Sequence, residues 1–286
     1  VDVVHAHLEY SAIMVPLAAR LAGKPVVATL HTNPQHQPLR RGWLKERLAV
    51  RIPSLLGRLV LVSRHAYDEY ARRHGPAHAA WRMIPNGVDL HQYLPRRRLA
   101  RSIDQPVWAV VAALRPAKGH SDLIRAWAGV VAAHPRATLL VIGDGPARAD
   151  IEHLVAAAGL QSSVELLGRR DDVPELLQRV DGVVSASTDE ALPTALIEAA
   201  ACGLPIIATD AGGTREIVAD SITGRLVPVG DVTALTEALL DTIENPTLAA
   251  HYGAAGHQLV KAKYDIATWA NQLELLYSEV TIRGRE

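Results

Sequence analysis

The chain has 286 residues, 49% of them hydrophobic, enough to bury a sizeable core and to build two domains rather than one. Thirty basic residues balance thirty acidic ones, which gives no case for nucleic acid as the main partner, and the single Cys202 excludes an internal disulfide framework and fits a reducing compartment. No apolar run is long enough to span a bilayer and no signal peptide is visible, so a soluble, cytoplasmic protein is expected.

The first third alternates short β-branched runs with helical segments. "VDVVHAH", "KPVVATLH", "RLVLVS" and "RMIPNGVD" read as strands that are apolar and then abruptly polar, the pattern of parallel strands covered on both faces. Open α/β sheets bind ligands beyond the carboxyl ends of their strands, which places His7, His31, Ser63 and Asn86 where chemistry is expected. His5 reads as a core residue. Residues 38–58, "PLRRGWLKERLAVRIPSLLGR", carry six basic residues, one acidic residue and Trp43. Such a segment could rest on an anionic membrane surface or face a lipid-linked acceptor, or be a solvated helix face.

"LPRRRLARSIDQP", residues 94–106, is charged and bounded by prolines, and reads as a linker. A second series of strands follows: "VWAVVAAL", "ATLLVIGDG", "SVELLG", "DGVVSAS", "LPIIATD" and "GRLVPV". Between them, "HSDLIRAWAGVVAAH", "ARADIEHLVAAAGL", "VPELLQRV" and "DVTALTEALLDTIE" have helical spacing, and "YDIATWANQLELLYSEV" is a closing amphipathic helix. The expected division is 1–98, an N-terminal Rossmann-like domain; 99–264, a second Rossmann-like domain; and 265–286, the closing helix.

Within the second domain, "STDEALPTALIEAAACGLP" places Pro193 in the first turn of a short helix that ends at Gly203. The amides of about Thr194, Ala195 and Leu196 are then unpaired at the positive end of the helix dipole, a site for an anion. Glu198 lies one turn above Thr194 and leans back towards that end. With Glu190 ahead of the helix, two carboxylates flank a phosphate-ready helix start. They are poor phosphate ligands and good acceptors for sugar hydroxyls, so a nucleotide-sugar fits. The alternative is a loop charge at Glu190 and a dipole-favoured Glu198.

"VIGDGP" fails as a dinucleotide fingerprint, because Arg148 stands where the third glycine belongs. "RRDDV" is unconvincing as a metal-binding pair, and thirteen histidines without tight ligand spacing give no metal site.

Together "E-x7-E" with "EAAACGLPIIATDAGGTREIV", "IPNGVD", "LRPAKGHSDLI", "LLVIGDGP", "LLGRRDDVPELL" and "TGRLVPVGD", in this order along the chain, resemble retaining glycosyltransferases of the GT-B type, glycosyltransferase family 4. The resemblance implies an α/β, GT-B-like fold of two Rossmann-like parallel-sheet domains, with the active site in the cleft between them. It implies transfer of a sugar from a nucleoside-diphosphate sugar to a hydroxyl acceptor with retention, without metal or cofactor.

Carried over by motif, Glu190 contacts the donor sugar and Glu198 the ribose, while the backbone of Leu192, Pro193, Thr194 and Ala195 holds sugar and diphosphate. Lys118 neutralises the diphosphate. Arg115 is a candidate partner for it, since the usual arginine position two residues earlier is Ala113. His31 lies near donor sugar and acceptor, Gly143 and Gly145 border the nucleotide cleft, and Arg169 lies on a loop by the base. Ala191 and Leu192 replace the family's usual glycine and aromatic.

The chain begins at Val1 without methionine and has no phenylalanine, so a trimmed, engineered or reconstructed form is expected. Relative to the family, its N-terminal domain is incomplete, leaving a sheet edge for another chain or a second copy to cover. Two rivals follow. One is a catalytically weak or inactive nucleotide-binding module. The other is a glycoside hydrolase using Glu190 and Glu198, which has no need of a phosphate-ready helix start.

Overall fold

The computed structural model describes residues 1–34, 40–95 and 104–283. Residue contacts divide them into two units. The first comprises Val1–Gly87, Glu190–Leu192 and the C-terminal segment from Ile266; the second comprises Val88–Asp189 and Pro193–Asp265. The division falls after Gly87, ahead of the segment expected as linker, of which 96–103 lie outside the described residues. Val88 is held within the second unit by its amide, which donates to the Tyr264 carbonyl at 2.8 Å.

The first unit contains β1 (Val4–His7), α1 (Glu9–Leu21), β2 (Val26–Leu30), α2 (Arg40–Leu56), β3 (Arg58–Leu61), α3 (Arg64–His74) and β4 (Trp81–Met83). The strands pair in parallel in the order β1-β2-β3-β4. Successive side chains of a strand point to opposite faces. Ala28, Leu30, Leu59 and Leu61 therefore pack with Ala12, Ala49 and Tyr70 on one face. Val27 and Val60 turn to the other face, where they meet Leu273, Leu276 and Val280. Each of the leucines and valines among them contributes roughly 1.5–3 kcal/mol by leaving water. Both faces are thus covered, which is why the strand sequences are apolar throughout.

The second unit runs β5 (Val107–Val111), a 3-10 turn at Pro116–Lys118, α4 (His120–Ala133), β6 (Thr138–Ile142), α5 (Arg148–Ala157), β7 (Val164–Gly168), α6 (Val173–Leu177), β8 (Gly182–Ser185), α7 (Thr194–Ala201) and β9 (Ile206–Thr209). A second 3-10 turn at Gly212–Glu216, β10 (Arg225–Val227), α8 (Val232–Glu244) and α9 (Pro246–Lys263) complete it. The strands are parallel in the order β10-β9-β8-β5-β6-β7, so the chain winds outward from β5 in both directions. This is the doubly wound Rossmann order, and its direction reverses between β5 and β8. Trp108 and Trp127 are fully buried in its core beside Leu123, Leu139 and Leu239. Gly182 makes room for Trp108, because a Cβ there would lie 2.6 Å from the indole ring.

The last helix, α10 (Ile266–Arg283), belongs to the first unit and supplies Leu273, Leu276 and Val280 to its core. Glu279 of this helix is bonded by Arg58 of β3 at 2.7 Å and by Arg82 of β4 at 3.0 Å. No helix among the described residues is long and apolar enough to cross a membrane.

Candidate functional site

In an open doubly wound sheet the loops at the reversal of strand order diverge and leave a crevice at the strands' carboxyl ends. In the second unit those are the loops after β5 and β8. Backbone bonds fix both. The Thr188 amide donates to the Ala117 carbonyl at 2.9 Å, stitching one loop to the other. Gly119 makes that approach possible. Its φ is 65°, and a Cβ on it would lie 2.7 Å from the carbonyl carbon of Ala186 and nearer still to its oxygen. Lys118, half-buried, is thereby held at the reversal point, while Arg115 is exposed at the head of the same turn.

The loop after β6 closes against the loop after β5. The Ala112 amide bonds the Ile142 carbonyl at 3.0 Å, and the Leu114 amide bonds that of Asp144 at 3.1 Å. Gly143, with φ 139°, and Gly145 allow this. A Cβ on Gly143 would lie 2.9 Å from the Ala112 carbonyl carbon, and one on Gly145 2.5 Å from the Leu114 oxygen. Both glycines are thus needed for backbone packing of this wall. Arg169 is exposed on the loop after β7. Next to it, Arg170 pairs with Asp172 at 2.6 Å. No cluster of three histidine, cysteine or carboxylate side chains among the described residues is placed to hold a metal ion.

The loop after β8 leads into α7, whose N-cap is Pro193 and which no side chain caps. Leu196 departs from the sequence expectation, because its amide donates to the Pro193 carbonyl at 3.0 Å. A tight first turn uses that donor internally, leaving Thr194 and Ala195 as the amides without an intrahelical partner. α7 ends as expected, with Gly203 at φ 69° beyond Cys202.

Glu198 is half-buried on α7, and its carboxylate lies within hydrogen-bonding reach of the Tyr93 hydroxyl. Burial raises its pKa to about 7, against the opposing effect of the Tyr93 bond. One turn further, Cys202 is fully buried, and burial pushes its thiol up to about 12. Gln178 bonds that thiol and also donates to the Leu94 carbonyl at 2.7 Å. Tyr93 and Leu94 are in this way fastened along the flank of α7.

In the first unit, His31 stands at the end of β2, half-buried, with its Nε2 2.9 Å from Nδ1 of the exposed His7. Burial lowers the His31 pKa, and the neighbouring His7 lowers it further. His5 stacks on His7 and is bonded by the Tyr277 hydroxyl at 2.6 Å and by Thr29 Oγ1 at 2.7 Å. Burial foremost, then His7 and His31, bring its pKa to about 4, so it is neutral at pH 7. Glu190, with Ala191 and Leu192, groups with this unit and is buried. Its carbonyl accepts a 2.9 Å bond from Asn33 Nδ2, the asparagine of "HTN".

The structure thus collects Arg115, Lys118, Gly143, Gly145, Arg169, Thr194, Ala195 and Glu198 at the carboxyl ends of four strands of one sheet, and assigns His31, Glu190 and Leu192 to the other unit. The eight-residue spacing of the two glutamates spans that division. Ser63 is corrected: it is fully buried, and its Oγ caps α3 by accepting from the Ala66 amide at 3.0 Å. Its position at a strand end reflects helix capping. Tyr93, Asn33 and Gly119 were not singled out by the sequence reading. Tyr93 and Asn33 declare themselves only through partners distant in sequence, whereas the glycine following Lys118 was a visible signal for a left-handed turn.

Residues 95–259 match the family model described as glycosyl transferases group 1, and residues 1–92 match that described as glycosyltransferase family 4. A phosphatidyl-myo-inositol mannosyltransferase of Mycobacterium leprae is 29% identical over 305 aligned residues, covering 99% of this chain and 75% of that protein. A GDP-mannose-dependent monoacylated alpha-(1-6)-phosphatidylinositol monomannoside mannosyltransferase of Corynebacterium glutamicum is 30% identical, over 94% of this chain and 74% of its own length. Among solved structures, HepE of Anabaena in complex with UDP-glucose superposes with a TM-score of 0.86 at 23% identity, covering 97% of this chain and 79% of that one. Sucrose-phosphate synthase of Thermosynechococcus elongatus gives 0.85 at 24% identity, over 99% of this chain and 74% of that one.

Proposed function

This chain belongs to the group 1, family 4-type glycosyltransferases of GT-B-like fold, and from that premise we propose that it transfers a sugar from a nucleoside-diphosphate sugar to a hydroxyl acceptor with retention of configuration. The observation that carries the donor assignment is the uncapped start of α7 at the reversal of strand order, with Lys118 on the facing loop and Glu198 one turn along the helix. Amides of Thr194 and Ala195 at the positive end of a helix dipole suit a diphosphate. Lys118 adds a charge-assisted bond that strengthens as negative charge develops on the leaving group. Glu198 accepts from the ribose hydroxyls.

Glu190 and His31 are assigned to the transferred sugar. Asn33, two residues beyond His31, bonds the Glu190 backbone, so the two groups share one support. In the reaction the bond from the anomeric carbon to the diphosphate oxygen breaks, and the acceptor oxygen bonds to the same face of that carbon. The acceptor proton passes to the departing phosphate oxygen, so no enzyme nucleophile is required.

An exposed apolar stripe on α1, of Tyr10, Met14, Leu17 and Leu21, favours a lipid-linked acceptor. Trp43, Leu44 and Leu48 of α2 are also exposed, and α2 packs against α1. The relatives named for phosphatidylinositol substrates support the same choice. Lys45, however, is ion-paired with Glu9, so this basic residue is already neutralised.

The test is incubation with UDP-, GDP- and ADP-sugars and phosphatidylinositol vesicles, following nucleotide release and the product's anomeric configuration by NMR. An α-linked product from an α-linked donor supports the proposal; inversion contradicts the retaining step. Release from none of the donors contradicts the donor assignment.

A further inference from the structure

We propose that Tyr93 is a positioning residue for the donor nucleotide: its hydroxyl fixes the Glu198 carboxylate in the orientation and charge state that receive the ribose hydroxyls. This inference rests on the donor reading above and deepens it. A half-buried carboxylate on a helix flank has several rotamers open to it and, when unpaired, a strong tendency to hold its proton. Recognition of a vicinal diol requires the opposite, an ionised group presented in one orientation.

The 88–95 segment supplies the constraint. It is anchored at one end by the bond from the Val88 amide to Tyr264. At the other end Gln178 donates to the Leu94 carbonyl at 2.7 Å and bonds the Cys202 thiol on the same helix as Glu198. Tyr93 lies between these anchors, half-buried, with its hydroxyl at the Glu198 carboxylate. The phenol is pushed above its usual range, first by burial and then by Glu198, so it donates across the working pH range. The groups acting on this pair are Glu198 on α7, Cys202 at its C-terminal end, Tyr93 itself, and Glu175 on α6. Among the described residues no cation belongs to this group. The Tyr93 hydroxyl favours the ionised form of Glu198 against the burial that raises its pKa to about 7.

The experiment compares the affinity of the whole chain for a nucleoside diphosphate and its 2′,3′-dideoxy analogue between pH 6 and 9. In the unsubstituted protein the preference for the ribose form rises as pH passes through about 7, because Glu198 must lose its proton. Tyr93→Phe keeps the ring and loses the donor. Its ribose preference at pH 7 is expected to fall by about tenfold, and the midpoint of the pH profile to move upward by about one unit. In Glu198→Gln the same Tyr93 change is expected to add no further loss. An unchanged midpoint in Tyr93→Phe, or an equal loss in the Glu198→Gln background, overturns the inference and leaves the donor reading standing. Absence of any ribose preference in the unsubstituted protein overturns both.

Discussion

Gly119 offers a quantitative test of how the site is built. It and Gly159 both adopt left-handed backbone, at φ 65° and 68°, yet their surroundings differ. A Cβ on Gly159 meets nothing within 4 Å, whereas one on Gly119 would lie 2.7 Å from the carbonyl carbon of the buried Ala186. Gly159→Ala therefore bears only the conformational term, about 1–2 kcal/mol. Gly119→Ala bears that term and must also displace the loop after β8. The bonds from the Thr188 amide and hydroxyl to the Ala117 carbonyl, at 2.9 and 3.3 Å, are then weakened. At about 1 kcal/mol for each bond and about 1–3 kcal/mol for overpacking, the total comes to roughly 4–7 kcal/mol. For a domain of this size, thermal unfolding followed by circular dichroism should show a Tm drop of about 3–6 °C for Gly159→Ala. The drop for Gly119→Ala should exceed about 8 °C. Equal small drops in both variants would refute the close approach on which the positioning of Lys118 depends.

Replacing Lys118 with alanine removes a charge-assisted contact and is expected to weaken nucleoside diphosphate binding by roughly 10–100-fold without altering ribose preference, measured by calorimetry. Cys202 is fully buried with its thiol raised to about 12, so Ellman's reagent at pH 8 should leave the native protein unlabelled and react once guanidinium unfolds it; rapid native labelling contradicts the packing around α7. The Glu279 carboxyl is held below its usual 4.5, first by the hydrogen bond from Arg58 and then by Arg82. Its contribution to holding α10 is complete above that value and lost as pH falls through the lowered one, so Glu279→Gln should be less stable at pH 7 and lose less on acidification.

The strands were legible because parallel strands covered on both faces are written as unbroken apolar runs, and β5 to β10 all fall inside the runs read from sequence. α7 was legible through Pro193 and Gly203, which mark its two ends. α9 carries Gly253 and Gly256 inside it and was not among the helical segments read from sequence. Their reason is tertiary: a Cβ on Gly253 would lie 2.8 Å from the Gly203 carbonyl carbon, so the glycine lets α9 press against the end of α7. The division after Gly87 was equally hidden. The segment 94–106 has linker composition, but Val88, Tyr93 and Leu94 are bound to the second unit by single long-range bonds that no local pattern reports. For the same reason motif spacing located Glu198 without revealing that a tyrosine holds it.

The central claim is that the start of α7 and Lys118 grip a diphosphate while Glu198 holds the sugar next to the base. Isothermal titration of the unsubstituted protein with the diphosphate and monophosphate of one nucleoside tests it most directly. The predicted result is diphosphate binding tighter by about tenfold or more, the worth of one or two charge-assisted bonds. Equal affinities for the two nucleotides, or no binding of either across uridine, guanosine and adenosine, would contradict it.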